Sequence, residues 1–379
     1  MPTFPEVLLP PLPAAARKTL ADLGPLLDAV KPLKARHKAE LPGNIRLLSG
    51  LLTEDRDDLG RDYMGDPRTL SAYLRYFLPW NLFRLGRLFT GLDLDLPENA
   101  TVVDFGAGPL TTALALWLSR PALRSRRLNL VCVDRSPKPM REGLDLLRAL
   151  TGEATPWKTT LVKGALGMTL REKADLLVLA NTVNELSWTR RQDLEEDASR
   201  LAGTLVRGLA PEGRVLLVEP GTRGAGRVLS ALRGACLELN LHPLAPCPHL
   251  RRCPMPGREP GPWCHFNFDT AGAPDWLARL TAKADLTKRN LSLSFLFLAR
   301  GVEPPQGMVR GISEAFDLPE NHRGQYACSA QGLTLLRFPA GSRGLVPGHA
   351  LHAEFPDKPE RDRKSGAVIL DLAAPGKRP

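Results

Sequence analysis

The chain has no apolar run near the roughly 20 residues needed to span a bilayer, so membrane insertion is not expected. Six cysteines are too few for a disulfide framework in 379 residues, and three of them crowd into the eighteen positions from Cys247 to Cys264, which points to a metal site instead. With 33 glycines and 35 prolines the composition stays below that of a disordered chain. The first residues, Met1-Pro2-Thr3-Phe4-Pro5-Glu6, form neither a basic and then apolar leader nor an Arg/Ser-rich presequence, and a cytoplasmic location is expected. There is no internal repeat. What the chain does have is length for two or three domains, 43% hydrophobic residues, a formal charge of +10 and a pI near 9.5. That balance favours a polyanionic partner, RNA first, because Lys and Arg beside phosphates release condensed counterions. No DNA and no membrane partner is expected.

The stretch Thr101-Val102-Val103-Asp104-Phe105-Gly106-Ala107-Gly108-Pro109 reads as a strand, a tight turn and a helix start. Gly106 and Gly108 let the backbone turn sharply and approach a nucleotide-like ligand. A P-loop is missing its Gly-Lys-Ser/Thr, since Pro109-Leu110-Thr111 follows, and a dinucleotide turn is missing its third glycine, replaced by Thr111. S-adenosylmethionine (SAM) needs only the Asp-x-Gly-x-Gly form. The next strand, Leu128 to Val133, ends at Asp134, a carboxylate placed to accept from ribose hydroxyls. Asp104, Gly106, Gly108 and Asp134 are therefore the expected cofactor-binding residues, in an α/β, Rossmann-like domain of class I SAM-dependent methyltransferase type.

Three regions are expected. Residues 1–95 are helical: Leu70, Tyr73, Leu74, Phe77 and Leu78 recur at helical spacing, and Leu82, Leu85, Leu88 and Phe89 resume it after a kink at Pro79. Arg68, Arg75, Arg84 and Arg87 lie among them and read as a solvated face with RNA contact as the alternative. Residues 96–300 carry the α/β alternation, with strands at 159–162, 175–180 and 213–219, helices at 139–150, 190–209 and 224–241, and last strands at 266–268 and 291–298. Leu229, Leu232, Cys236 and Leu239 form the inner face of the 224–241 helix, and Cys236 and Cys132 are core thiols. Residues 301–379 form a small β module of OB type, with strands near 308–310, 325–328, 333–338 and 367–372 and a charged loop at 358–364.

A cysteine-rich insertion spans 242–268. Cys247, Cys253 and Cys264 give C-x5-C-x10-C among prolines, and Cys328 is the remaining cysteine outside the expected core. Four thiolates suit tetrahedral zinc or a 4Fe-4S cluster; the absence of C-x2-4-C knuckles tilts the reading to the cluster, while His249 or His265 in place of Cys328 keeps zinc open. Either metal is structural. Pro246-Cys247 also matches the nucleophile dipeptide of cytosine C5 methylation, a reading that the neighbouring thiols displace.

Val-Asp-Phe-Gly-Ala-Gly-Pro, Leu-Ala-Asn-Thr-Val-Asn-Glu-Leu, Leu-Val-Glu-Pro-Gly-Thr and Pro-Cys-Pro-His…Cys-Pro…Trp-Cys-His-Phe together resemble the mitochondrial small-ribosomal-subunit methyltransferase-like family, methyltransferase-like protein 17 and its bacterial relatives, over about residues 60–340. The resemblance implies a SAM methyltransferase fold, a role in small-subunit assembly on its rRNA, and a 4Fe-4S cluster on Cys247, Cys253, Cys264 and Cys328. It also implies SAM contacts near Asp104, Gly106, Gly108 and Asp134. With no presequence, a bacterial-type cytoplasmic member is expected.

Exocyclic-amine methylation uses an Asn/Asp-Pro-Pro-Tyr/Phe turn after the fourth strand. Here the chain reads Asn181-Thr182-Val183-Asn184, without the prolines or the ring. Asn181, Asn184 and Glu185 are the candidate catalytic residues, with helix capping as the competing role. Two functions stay open: a SAM-dependent rRNA methyltransferase, and a catalytically inactive assembly factor that binds rRNA, with structural zinc in place of the cluster. A small-molecule methyltransferase is disfavoured by the charge and the added lobe.

Overall fold

The computed structural model describes residues 4–53, 63–152, 154–185 and 194–372. The architecture is mixed α/β. Two compact units interleave along the chain: one is Pro10–Ala180 with Asp269–Leu291, the other Met1–Leu9, Asn181–Phe268 and Ser292–Pro379.

In the first unit, the β-branched run at β1 (Ala100–Phe105) is buried along its whole length. It pairs in parallel with β2 (Leu128–Asp134) on one side and β4 (Ala174–Ala180) on the other, and β3 (Trp157–Lys163) extends the sheet beyond β2. The order β3-β2-β1-β4 puts the reversal of winding between β1 and β4. In open parallel sheets the carboxyl ends beside such a reversal are where ligands bind. The helix after β1, α5 (Thr111–Ser119), is apolar almost all round and buried, whereas α6 (Pro137–Thr151), after β2, is amphipathic.

The N-terminal region is helical, as its periodicity predicts: α1 (Ala14–Val30), α2 (Ala35–Thr53), α3 (Pro67–Ala72) and α4 (Leu78–Gly91). Asp66 caps α3 by accepting from the Thr69 N–H at 2.8 Å. The expected kink is a π-turn at Tyr73–Phe77; Pro79 then sits in the first turn of α4, where its missing N–H costs nothing. The arginine reading needs correction. Arg68 is exposed, but Arg75, Arg84 and Arg87 are buried. Arg75 donates to the Lys31 carbonyl, Arg84 to Asn81 Oδ1 at 2.9 Å, and Arg87 to the carbonyls of Pro10 and Asp269 at 3.1 and 3.2 Å. Arg75 ties a loop to the π-turn, Arg84 bonds within α4 and Arg87 ties two loops to α4, so the three are neither a solvated face nor an RNA surface. A further helix, α9 (Asp275–Lys283), went unforeseen; its Trp276 indole donates to the Ala21 carbonyl at 3.0 Å.

In the second unit, α7 (Leu194–Gly208) packs on α8 (Arg223–Glu238), and the 190–193 part of the helix expected before Leu194 lies outside the described residues. Between them runs β5 (Leu209–Pro220). Strand β8 (Asn290–Arg300) is antiparallel to both β5 and β6 (Leu241–Ala245), and β7 (Phe266–Asp269) also pairs with β8. The expected 224–241 helix is therefore too long: it stops at Glu238, Leu239 is 40% exposed and not on the inner face, and Leu241 opens β6. Cys236 and Cys132 are buried, as expected of core thiols.

The C-terminal sheet runs β13 (Ala350–His352), β9 (Met308–Gly311), β11 (His322–Ser329), β12 (Gly332–Pro339), β14 (Val368–Asp371), with β10 (Phe316–Leu318) on β11. All these pairs are antiparallel except β12 with β14. One face buries Val309, Ala327, Leu336, Phe338 and Leu370. Among the described residues, no helix is long and apolar enough to cross a membrane.

Candidate functional site

The first site is the turn after β1. Gly106 and Gly108 take φ of +73° and +48°, as a sharp turn requires, and Leu110 follows at +56° as the start of α5. A bulky residue in that left-handed region is strained by about 1–3 kcal/mol. The turn is fastened from β2: the Gly106 and Ala107 N–H groups donate to the Val133 carbonyl at 2.8 and 3.1 Å. Asp134 accepts from the Gly108 N–H at 2.9 Å and from the Ser136 N–H at 2.8 Å. Its carboxylate thus holds the turn with one lone pair on each oxygen, leaving others for a ligand.

Asp104 lies beneath this turn, buried, with its carboxyl pushed up to about 7. Burial is the main cause; the Thr112 hydroxyl opposes it and the Asp134 charge adds to it. Asp104 Oδ1 and Thr112 Oγ1 are both buried and without a well-formed hydrogen bond among the described residues. Buried polar atoms are nearly always paired; the Thr112 hydroxyl acts on the Asp104 carboxyl but forms no well-shaped bond with it, and the two together mark a place for a polar ligand. Space between the turn and α6 is tight: a Cβ on Gly143 would fall 2.3 Å from the Pro109 carbonyl carbon.

The candidate catalytic residues lie in the other unit. Asn181 adopts φ of +58°, which Asn tolerates, and donates its N–H to the Val218 carbonyl at 2.7 Å. The Val183 and Asn184 N–H groups donate to the two oxygens of buried Glu219, at 2.8 and 3.3 Å. Both atoms of the Asn184 amide are buried and have no partner among the described residues. Glu185 ends this turn, and its side chain lies outside the described residues.

The second site is a small cavity of about 30 Å³ in the same unit, lined by Cys247, Cys253, Cys264 and Cys328 together. The 246–265 loop that carries three of them is pinned. The Trp263 indole donates to the Gly221 carbonyl at 3.0 Å, the Ser294 hydroxyl to the Cys264 carbonyl at 2.8 Å, and the Gly257 N–H to the Pro262 carbonyl at 3.0 Å. Cys328 comes from β11, and His249 Nε2 lies 3.3 Å from its Sγ. Burial pushes the Cys247, Cys264 and Cys328 thiols up; neighbouring sulfurs push Cys264 and Cys328 further, while Arg233 opposes the rise at Cys247. A buried, protonated Cys247 is a poor nucleophile. His249 is held neutral, its value down to about 4 through burial and the nearby Arg233. His265 stacks on Trp263 with ring centroids 4.7 Å apart. Among the described residues, no group of three or more His, Cys, Asp or Glu side chains converges to hold a single metal ion, so the metal expected from the spacing has no one-ion site in this structure.

Sequence reasoning missed Thr112, Glu219, Arg233 and Arg310. Glu219 and Arg310 had one available signal, a charge inside an apolar strand, whereas nothing in the chain marks Thr112 as an orphan.

A family model described as mitochondrial small ribosomal subunit Rsm22 matches residues 72–306. That description does not coincide with the plain cytoplasmic expectation. No curated protein matches the chain. Among solved structures, a methyltransferase from Pyrococcus furiosus is 12% identical over 55% of this chain and 78% of its own, with a TM-score of 0.32. Mitomycin 7-O-methyltransferase MmcR is 14% identical over 74% and 73%, with a TM-score of 0.36. A putative class I S-adenosylmethionine-dependent methyltransferase from Listeria monocytogenes is 12% identical over 77% and 89%, with a TM-score of 0.33. At such scores these likenesses carry neither fold nor function.

Proposed function

Since the chain belongs to the mitochondrial small ribosomal subunit Rsm22 family, we propose that it is a SAM-binding, methyltransferase-like protein that acts on or assembles the small ribosomal subunit through its rRNA. The observation that carries the SAM reading is the orphaned Asp104 Oδ1 under a turn of two positive-φ glycines. A buried, proton-hungry carboxyl is a partner for the ammonium group of SAM, and the exposed Gly106 lets the ligand reach the backbone. Asp134, with lone pairs to spare, takes the ribose. When bound, SAM supplies an electrophilic methyl group; the chain's own residues bind and orient it.

The metal reading belongs to the same proposal. Cys247, Cys253, Cys264 and Cys328 hold a 4Fe-4S cluster. Their common cavity supports this, with zinc on the same four thiolates as the alternative. The order β13-β9-β11-β12-β14 with β12 and β14 parallel supports an OB-type module, opened at one seam.

One observation favours the second reading, an assembly factor without catalysis. The turn at 181–184 has no ring to stack a base, and two of its amides are spent on Glu219. Labelled SAM and anaerobically prepared protein, offered to small subunits from cells lacking the gene, separate the two. Label on one rRNA nucleotide, lost in Asp104→Ala, makes it an enzyme; subunit binding without label makes it an assembly factor.

A further inference from the structure

Two arginines are buried at the thiol cavity, Arg233 in its lining and Arg310 on the Pro246 carbonyl, and among the described residues neither has a hydrogen-bonded carboxylate. Arg310, fully buried on β9, donates to the carbonyls of Pro246, Gly348 and Pro5 at 2.6, 2.7 and 2.7 Å, and its guanidinium lies 4.6 Å from the Phe4 ring centre. Arg233, 2% exposed on α8, donates Nε–H to Cys247 Sγ at 3.1 Å and Nη2–H to the His249 carbonyl at 2.6 Å. Carbonyls satisfy the donors but not the charge, and an uncompensated buried cation is costly. Arg233 meets a thiol sulfur directly at Cys247, and Arg310 is anchored on the carbonyl of Pro246, the residue before Cys247.

We propose that Arg233 and Arg310 are the fixed counter-charges of the four thiolates, and that Arg233 is a positioning residue for Cys247. This rests on the metal reading above. Four thiolates and two guanidiniums leave a net charge of −2, so the loaded site is neutral around a core of charge +2. An oxidised 4Fe-4S core meets that condition, as does zinc. A one-electron-reduced cluster leaves an uncompensated charge in a buried cavity, so the site is built to hold a structural centre in one charge state. Hydrogen bonds and positive charge at a ligand sulfur stabilise it and raise the cluster potential.

The test uses the full chain, prepared anaerobically, as wild type, Arg233→Gln and Arg233→Lys. Iron, sulfide and zinc per chain, the rate of metal loss to a chelator and the cluster potential are read out. Arg233→Gln is expected to lose metal at least tenfold faster and to be reduced at a more negative potential, and Arg233→Lys, which keeps the charge, to recover most of the retention. Wild-type protein that takes up neither iron nor zinc overturns the metal reading and this inference with it. A loaded wild type with unchanged retention and potential in Arg233→Gln overturns the inference alone, as does equal loss in Gln and Lys.

Discussion

The glycine turn and the thiol cavity solve opposite problems of buried charge. At the turn, a contiguous backbone segment from Asp104 to Leu110 shapes the site, and its one buried carboxyl is left without a full complement of partners. At the cavity, residues far apart in sequence, from Arg233 to Cys328, shape the site, and a buried cation, Arg233, meets a sulfur able to carry the opposite charge. A site made by backbone can leave a polar atom waiting for a transient ligand. On the proposed reading, a site made by side chains has its electrostatics completed by a resident group. The comparison teaches that the first should trade stability for binding, and the second should not.

The largest expected effect is on the pH dependence of stability, which runs in opposite senses for the two regions. Asp104 keeps its proton in the fold up to about pH 7 but loses it near 4 when unfolded. Stability therefore falls as pH rises from 4 to 7, by roughly 4 kcal/mol at most, and stays lower above. His249 titrates near 4 in the fold and near 6.5 unfolded, so its neutral form costs stability as pH falls from 6.5 to 4, by roughly 3 kcal/mol at most. Asp104→Asn should raise the unfolding free energy at pH 8 by about 2–4 kcal/mol and leave it unchanged at pH 4. His249→Gln should flatten the acid limb alone. Denaturant unfolding of SAM-free protein across pH 4–8 checks both, and a shared pH profile for the two variants would erase the contrast.

The same contrast explains what was legible in the sequence. Backbone turns are written in spacing: β1, Gly106, Gly108 and the following β2 could be placed because β-branched runs and positive-φ glycines act locally. The four cysteines could be gathered because thiols are rare in the chain and Cys328 was left over. Interior arginines were not legible. Arg75, Arg84 and Arg87 sit at helical spacing among aromatics, a pattern that serves a solvated face equally well, and only the loop carbonyls brought against α4 decide it. Strand β6 was hidden because Pro243 interrupts it, yet β8 pairs with it through a bulge there. Leu241 also reads as the tail of α8, since Leu241, Leu244 and Ala245 on either side of Pro243 are too short a run to set a period.

A smaller effect should separate the sites. In Gly143→Ala the new Cβ would lie 2.3 Å from backbone atoms of Pro109, and a backbone cannot swing aside as a side chain can. Moving α6 off the turn should cost about 1–3 kcal/mol. SAM affinity by calorimetry should drop with it, while metal content per chain stays at the wild-type value. Loss of metal in this variant would mean that the two regions share one cooperative support, and the division between a backbone site and a side-chain site would fail.

The smallest change tests the trade directly. Thr112 Oγ1 is buried without a well-formed hydrogen bond among the described residues, and its effect is on the Asp104 carboxyl, so at pH 4, where that carboxyl is neutral, the hydroxyl contributes desolvation cost with little return. Thr112→Val keeps the shape and removes the hydroxyl. At pH 4 the unfolding free energy should be unchanged or rise by up to about 1 kcal/mol. If the hydroxyl waits for the ligand, SAM affinity should fall several-fold in the same variant, so that stability and binding move apart. A loss of stability without a loss of affinity would make Thr112 a structural partner of Asp104, and the orphaned oxygen beside it would then owe its place to packing rather than to a ligand. The hydroxyl also restrains the rise of the Asp104 carboxyl, so its removal should move the Asp104 limb of the pH profile to higher pH, a second readout that packing alone would leave in place.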